Sequence, residues 1–479
     1  MHDLSSIPLD QLDPAEAWAR WEPSASDPWG RKWAGHLYRR AGFGASWAEV
    51  EAAVAAGPEA AVARLLEGGP GGEDFDRVMD SLAPGTGPSS PQDGPDGPLA
   101  AWWLHRMIRT PRPLLEKLCL FWHDHFATSV LKVRRPGLMA RQNQLIREHA
   151  LGRFGPFLRA MGRDPAMLIW LDSNSNVKGS PNENYARELL ELFALGVGHY
   201  AESDVRDAAR AFTGWRAEGE SATFDPARHD DGPKTVLGHS GPLGADDVGR
   251  IVLEQPAAAP FLVRKFYRAF VSEAEAPPDR LIRPLAEHYA ASGYDTSDLV
   301  GTLLRSRLFF SAHSFRQRVK GPVEYVVGLL RALEATPVEE RQNSGLNRPP
   351  TLDRLMDGLG QTLFAPPNVK GWPGGESWLN SATLLARHNL AWKVVQGSGG
   401  PAGMKANPSA LARKHGLGRD AEAQVGFLLG ALLQPGEGEL DGRRRGKLVA
   451  YLAASGSAGD DRLREVAHAV LLMPEYQLA

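Results

Sequence analysis

The stretch "PLLEKLCLFWHDHFATS", residues 113–129, decides how the rest of the chain is read. Its apolar residues Leu115, Leu118, Cys119, Trp122 and Phe126 recur at i, i+3, i+4, i+7 and i+11, which predicts an amphipathic helix with Pro113 near its start. His123 and His125 stand near the end of that helix. Two residues apart on a helix means about 200° apart, so the two histidines cannot chelate one ion from the same face. Glu116, two turns before His123, shares its face. The plainer reading of the pair is buried, hydrogen-bonded imidazoles at a helix end; the sharper one is that one of them serves a chemical site.

Outward from this helix the chain keeps the same character. Leu, Ala, Arg and Glu dominate, apolar residues recur at three and four, and β-branched alternating runs are scarce. The expected fold is mainly α: a large multi-helical body with long Gly/Pro-rich surface loops and one small β-hairpin insertion. Trp102 and Trp103 are assigned to its core. The hairpin is placed in "ATFDPARHDDGPKTVLGHSG", residues 222–241, with Asp-Asp-Gly-Pro as its turn.

At 479 residues and 52.0 kDa the chain can bury a large core without disulfides or metals. Compositional breaks divide it into an N-terminal helical segment (1–67), a Gly/Pro/Asp-rich insertion around one short helix (68–98), a central helical body (99–395), a flexible loop (396–409) and a C-terminal helical tail (410–479). A balance of 54 Lys+Arg against 57 Asp+Glu gives a net charge of -3, which argues against nucleic acid as a partner. The single cysteine, Cys119, excludes an intramolecular disulfide framework and cysteine-based zinc or iron–sulfur sites. No apolar run is long enough for membrane insertion, and the first 35 residues lack the charged start, apolar stretch and cleavage site of a secretory signal. A soluble, cytoplasmic protein is the expectation from the sequence as written.

A second motif adds chemistry. In "SPNENYARELLELFALGVGHY", residues 180–200, Asn182 or Asn184 is placed to cap a helix, Leu189, Leu192 and Phe193 form its apolar stripe, and Gly196 stops it. Glu188 and Glu191 are i, i+3 neighbours, with Arg187 adjoining. Helical carboxylates facing a histidine from another helix can form a metal site or a general acid/base pair, although the spacing is Glu-x-x-Glu and not the Glu-x-x-His of di-metal bundles. An ion-paired helix face is the ordinary alternative.

Five stretches together carry a family resemblance: "HLYRRAGFGAS" (36–46), "LFWHDHFATS" (120–129), "NENYARELLELFALGVGHY" (182–200), "FTGW" (212–215) and "LFAPPNVKGWPGGESWLNSATLLAR" (363–387), with "HAVLLMPEYQLA" (468–479) at the end. The chain resembles the bacterial family catalogued as domain of unknown function 1800 over nearly its whole length. The resemblance implies a mostly helical fold and no established biochemistry. It also implies a sulfatase-like protein as partner and, because many members are exported, a periplasmic or cell-envelope location as the alternative to the cytoplasm.

Two loops complete the candidate residues. "FDPARHDDGPKTVLGHSG" carries His229, Asp230, Lys234 and His239, which could close as a lid over the helix ends. "APPNVKGWPGGESWLNSATLLARHN", residues 365–389, offers Trp372 and Trp378 as stacking surfaces for a sugar or aromatic ligand, with Asn368 and Arg387 as polar companions and Asn380 or Ser381 capping the next helix. Turn formation and rigid packing are the competing explanations. No nucleophile elbow, Walker loop, dinucleotide fingerprint preceded by a strand, or His-Glu-x-x-His is present.

Two classes of function follow. The favoured one is an enzyme, hydrolase-like or metal-dependent, acting on envelope carbohydrate, with His123, His125, Arg187, Glu188 and Glu191 as catalytic residues and His123, Glu188, Glu191 and His199 as ligands of one divalent metal ion. The other is a helical scaffold or binding module for the sulfatase-like partner. Haem is a minor cofactor alternative: "FWHDHF" resembles the distal-histidine helix of animal-type haem peroxidases, and Arg187 and Glu188 their catalytic arginine and glutamate, over a very short match.

Overall fold

In the computed structural model, which describes residues 4–84, 97–337, 356, 358–396, 404–436, 439–454 and 459–479, helices dominate. The Gly/Pro/Asp-rich residues 85–96 and the loop residues 397–403, both singled out above, lie outside the described residues. The short helix expected before the first of them spans Gly72–Ser81. It is tied to the helix Gly97–Arg109, because Asp76 and Asp80 accept from Arg106 and Trp102 donates to the Met79 carbonyl.

The quoted stretch forms the helix Pro113–His125, with Pro113 at its first position, where the missing N–H costs nothing. It is buried nearly all round and so runs through the core instead of lying on it. Neighbours are the helices Pro136–His149 and Pro58–Glu67, and Trp122 donates to the Ala150 carbonyl at 3.0 Å. Trp102 and Trp103 are buried, as expected. One contiguous cluster of buried apolar side chains runs from Leu4 near the N-terminus to Tyr476 near the C-terminus.

Buried charges knit the interior. Glu116 accepts from Arg147 (2.6 and 3.0 Å), Arg106 (2.7 Å) and the Trp103 indole (2.9 Å). Burial alone would raise its pKa, but the two guanidiniums and the indole donor hold it down at about 2. Lys117 pairs with Glu324 on the helix Pro322–Ala332. Such groups are tolerated in a core only when paired.

Among the described residues, strands are confined to short two-stranded antiparallel ladders. The 222–241 region contributes to two hairpins and not one. β1 (Trp215–Glu218) pairs with β2 (Ser221–Phe224), and β3 (Lys234–Val236) pairs with β4 (His239–Gly241). Asp-Asp-Gly-Pro therefore joins two hairpins; the actual turns are Gly219-Glu220 and Leu237-Gly238, whose glycines take the positive φ that tight turns require. Among the described residues no helix is long and apolar enough to cross a membrane.

Candidate active site

Four segments meet at the C-terminal end of the Pro113–His125 helix. The helix Ala258–Phe270 packs against it through Phe266, whose ring lies 4.7 Å from Phe121 and 5.4 Å from Trp122. That contact sets Lys265, one residue earlier, beside His125. The loop at 364–374 covers the opposite side, with the Phe364 ring 5.3 Å and the Trp372 ring 5.7 Å from His123. The fourth segment begins as the helix Asn184–Glu188 and continues as a π-helical turn, Leu189–Ala194. Asn182 does help cap it, accepting from the Asn184 N–H at 2.9 Å, and Gly196 ends it at φ +86°.

At the centre is Asp124, the residue between the two histidines, which sequence reasoning passed over. Its Oδ1 accepts from the backbone N–H of Trp372 at 2.7 Å. Gly371 takes φ +81°, and a Cβ there would collide with the Asp124 carboxylate, so glycine is needed on both counts. Burial raises the pKa of Asp124 to about 6, opposed by the Trp372 N–H and by Lys265 and Arg268.

Lys265 donates from Nζ to His125 Nδ1 and to the Leu192 carbonyl, both at 3.0 Å. The π-helical turn matters here: the i→i+5 bond of Leu195 N–H to the Leu190 carbonyl widens the helix, and the Leu192 carbonyl is taken by the lysine. Burial lowers the pKa of Lys265 to about 8, against the pull of Asp124. Burial and then Lys265 hold His125 well below the usual histidine range, so its ring is a neutral acceptor. A carboxyl near 6 and an amine near 8 therefore stand on either side of His125.

The carboxylates found from the sequence stand on the 184–194 segment, whose Leu192 carbonyl Lys265 holds. Glu188 is half-buried; burial and then Glu191 raise its pKa, while Lys370, next to Gly371, opposes them. Glu191 accepts from the Tyr200 hydroxyl at 3.1 Å.

The other expected residues divide plainly. His123 is enclosed by the rings of Trp103, Phe364 and Trp372, its Nε2 has no hydrogen-bond partner, and burial lowers its pKa to about 3. It shares Trp103 with Glu116, which fulfils the expected common face. Arg187 faces away to Glu183 (3.0 Å) and Glu202 (2.7 Å) at the surface. His123 and Arg187 thus occupy different environments. His199 is exposed, and among the described residues no three His, Cys, Asp or Glu side chains group as metal ligands, so the set His123, Glu188, Glu191 and His199 is not assembled.

The proposed lid is instead fastened to the helix Glu202–Ala211. Thr235 and Leu237 donate to Asp207 and Asp204, and Asp230 accepts from Arg210 at 2.7 Å. His229 Nδ1 lies 2.9 Å from the Thr213 carbonyl, buried Lys234 donates to the Gly232 carbonyl at 3.0 Å, and His239 is exposed on β4. In the 365–389 loop, Asn368 Oδ1 shapes the turn by accepting from the Lys370 N–H at 2.8 Å. Trp372 and Trp378 are only 8% and 7% exposed, which removes them as open stacking faces. Arg387 is buried, donating to Gln477 at 3.0 Å and the Lys320 carbonyl at 2.7 Å, so it ties the chain's end to the core. Asn380 caps the helix Ser381–Gln396, accepting from Ala382 and Thr383 at 3.0 Å.

Comparison with curated proteins and with solved structures returns no match. A family model described as "Protein of unknown function (DUF1800)" matches residues 36–478, so the chain belongs to that family.

Proposed function

We propose that the protein is a hydrolase-like enzyme working by general acid–base catalysis at the Asp124–His125–Lys265 cluster. The observation that carries the reading is Asp124: a partly buried carboxyl, fixed by a backbone N–H, with its pKa at about 6 and an amine at about 8 nearby. A carboxylic acid with its pKa raised to about 6 keeps its proton in mildly acidic solution, where it can protonate a leaving oxygen, and Glu188 or Glu191 can steer water as the second carboxylate. That pairing suits glycosidic bonds, in keeping with an envelope carbohydrate as substrate class. His125 acts as a positioning residue for Lys265.

The test is turnover of a panel of 4-nitrophenyl glycosides and purified peptidoglycan by the native protein and by Asp124→Asn. The expected result is hydrolysis that falls by about 100-fold or more in the variant while its far-ultraviolet dichroism is retained. No hydrolysis by the native protein, or equal hydrolysis by both, contradicts the proposal.

A second reading, a scaffold that binds a sulfatase-like partner, draws on Leu384, Leu385 and Trp392, which are 44%, 59% and 38% exposed on the helix Ser381–Gln396. Exposed apolar side chains on one helix suit a protein interface. Replacing all three by Glu would abolish co-purification with such a partner and leave hydrolysis intact.

A further inference from the structure

A cavity of about 520 Å³ is lined by a different face of the 184–194 segment from the one serving the cluster. Its apolar walls are Tyr185, Leu189, Phe212, Trp215, Leu253 and Tyr294. The volume falls within the range of roughly 300–1,000 Å³ typical of small-molecule sites. Glycines keep it open: a Cβ on Gly162 would meet the Tyr185 hydroxyl at 2.5 Å, and Gly249, on the helix Ala245–Leu253, faces no atom within 4 Å.

Two polar features aim at a ligand. The Tyr185 ring is 6% exposed and lines the cavity, and its hydroxyl makes no hydrogen bond to another described residue, which leaves it free for a polar atom of a ligand. At the rim, Asp246 is shared by Arg163 (2.7 Å) and Arg159 (3.4 Å), which leaves one carboxylate between two guanidiniums. Arg163 is held by stacking over Trp215 at 4.7 Å, and the remaining rim pair, Arg250 and Glu254, neutralises itself at 2.9 Å. Each guanidinium has five donors, so Asp246 does not exhaust them.

We propose that this cavity binds a small amphipathic acid: a flat aromatic or cyclic body seated among the rings, with one anionic group on Arg159 and Arg163 and a polar atom on the Tyr185 hydroxyl. The inference stands apart from the acid–base reading of the Asp124 cluster.

The probes are 1-anilinonaphthalene-8-sulfonate and N-phenyl-1-naphthylamine, which share an aromatic body and differ in the anionic group. Fluorescence titration of the native protein is expected to show one saturable site, with the sulfonate binding about tenfold more tightly, the order expected of a charge-assisted contact. Gly249→Leu fills the open space from a helical position and should weaken the sulfonate about tenfold or more with dichroism unchanged. Absence of saturable binding to the native protein overturns the proposal, as does unchanged affinity in folded Gly249→Leu; equal affinity for the two probes overturns its anionic part. The probe comparison needs no variant, so it decides the matter even where Gly249→Leu fails to fold.

Discussion

Lys265 Nζ lies 3.0 Å from His125 Nδ1, an ammonium donating to an imidazole across 140 residues of sequence. A protonated ring could not accept that bond, so the contact fixes the neutral form of His125 and, with the Leu192 carbonyl, holds the amine in place.

Lys265→Met removes the cation that favours the Asp124 carboxylate. The Asp124 pKa should rise further above about 6, and any activity that needs its acid form should persist to higher pH even as the maximum falls. Leaving His125 Nδ1 and the Leu192 carbonyl unpartnered should cost about 1–3 kcal/mol in urea unfolding.

Gly371→Ala places a methyl group against the Asp124 carboxylate at a φ of +81°. The φ alone costs roughly 1–2 kcal/mol. The variant should lose activity to nearly the extent of Asp124→Asn, and the melting temperature and turnover assay together check this.

Glu116→Ala should destabilise the fold by about 3 kcal/mol, because it leaves buried Arg147 with Asn143 as its remaining partner, while Arg106 keeps Asp76 and Asp80. The native carboxylate has its pKa depressed to about 2, so its contribution is complete above the ordinary carboxylate pKa and is lost as pH falls from there towards 2. Denaturation midpoints measured from pH 6 down to pH 2 should fall more steeply in the native protein than in the variant, which keeps the other depressed carboxylates such as Glu324.

His123 has the opposite charge type and the same direction of dependence. Its folded pKa is about 3, so below the ordinary histidine pKa the unfolded chain takes up a proton that the folded chain refuses, and stability falls as pH falls from about 6.5. His123→Phe, an apolar ring among Trp103, Phe364 and Trp372, should fold and should be more stable than the native protein at pH 5 by about 1–2 kcal/mol. Chemical denaturation at pH 5 and pH 8 reads the difference directly.

Apolar spacing was enough to place the 113–125 helix and to send His123 and His125 to different surroundings, because a helix rotates about 100° per residue whatever it packs against. Asp124 was not legible in the same way. Its meaning depends on a backbone N–H at Trp372 and an amine at Lys265, neither of which leaves a local spacing; the one signal was Gly371 in "KGWPGG", a glycine beside a tryptophan. The π-helical turn reads locally as an ordinary helix, since only packing against Lys265 distinguishes it. Trp372, Trp378 and Arg387 looked like a ligand platform because residue type does not tell a stacking surface from a core. For the hairpins, the partner of β2 lies upstream at Trp215–Glu218, outside the stretch whose turn residues drew attention.

The central claim is that Asp124 is a carboxylic acid poised near neutrality. Carbon-13 carboxyl NMR of the native protein, with Asp124→Asn to assign the resonance, measures this directly. The account predicts a titration midpoint near pH 6 that moves upward in Lys265→Met. A midpoint at or below about pH 4, the ordinary aspartate value, would contradict it.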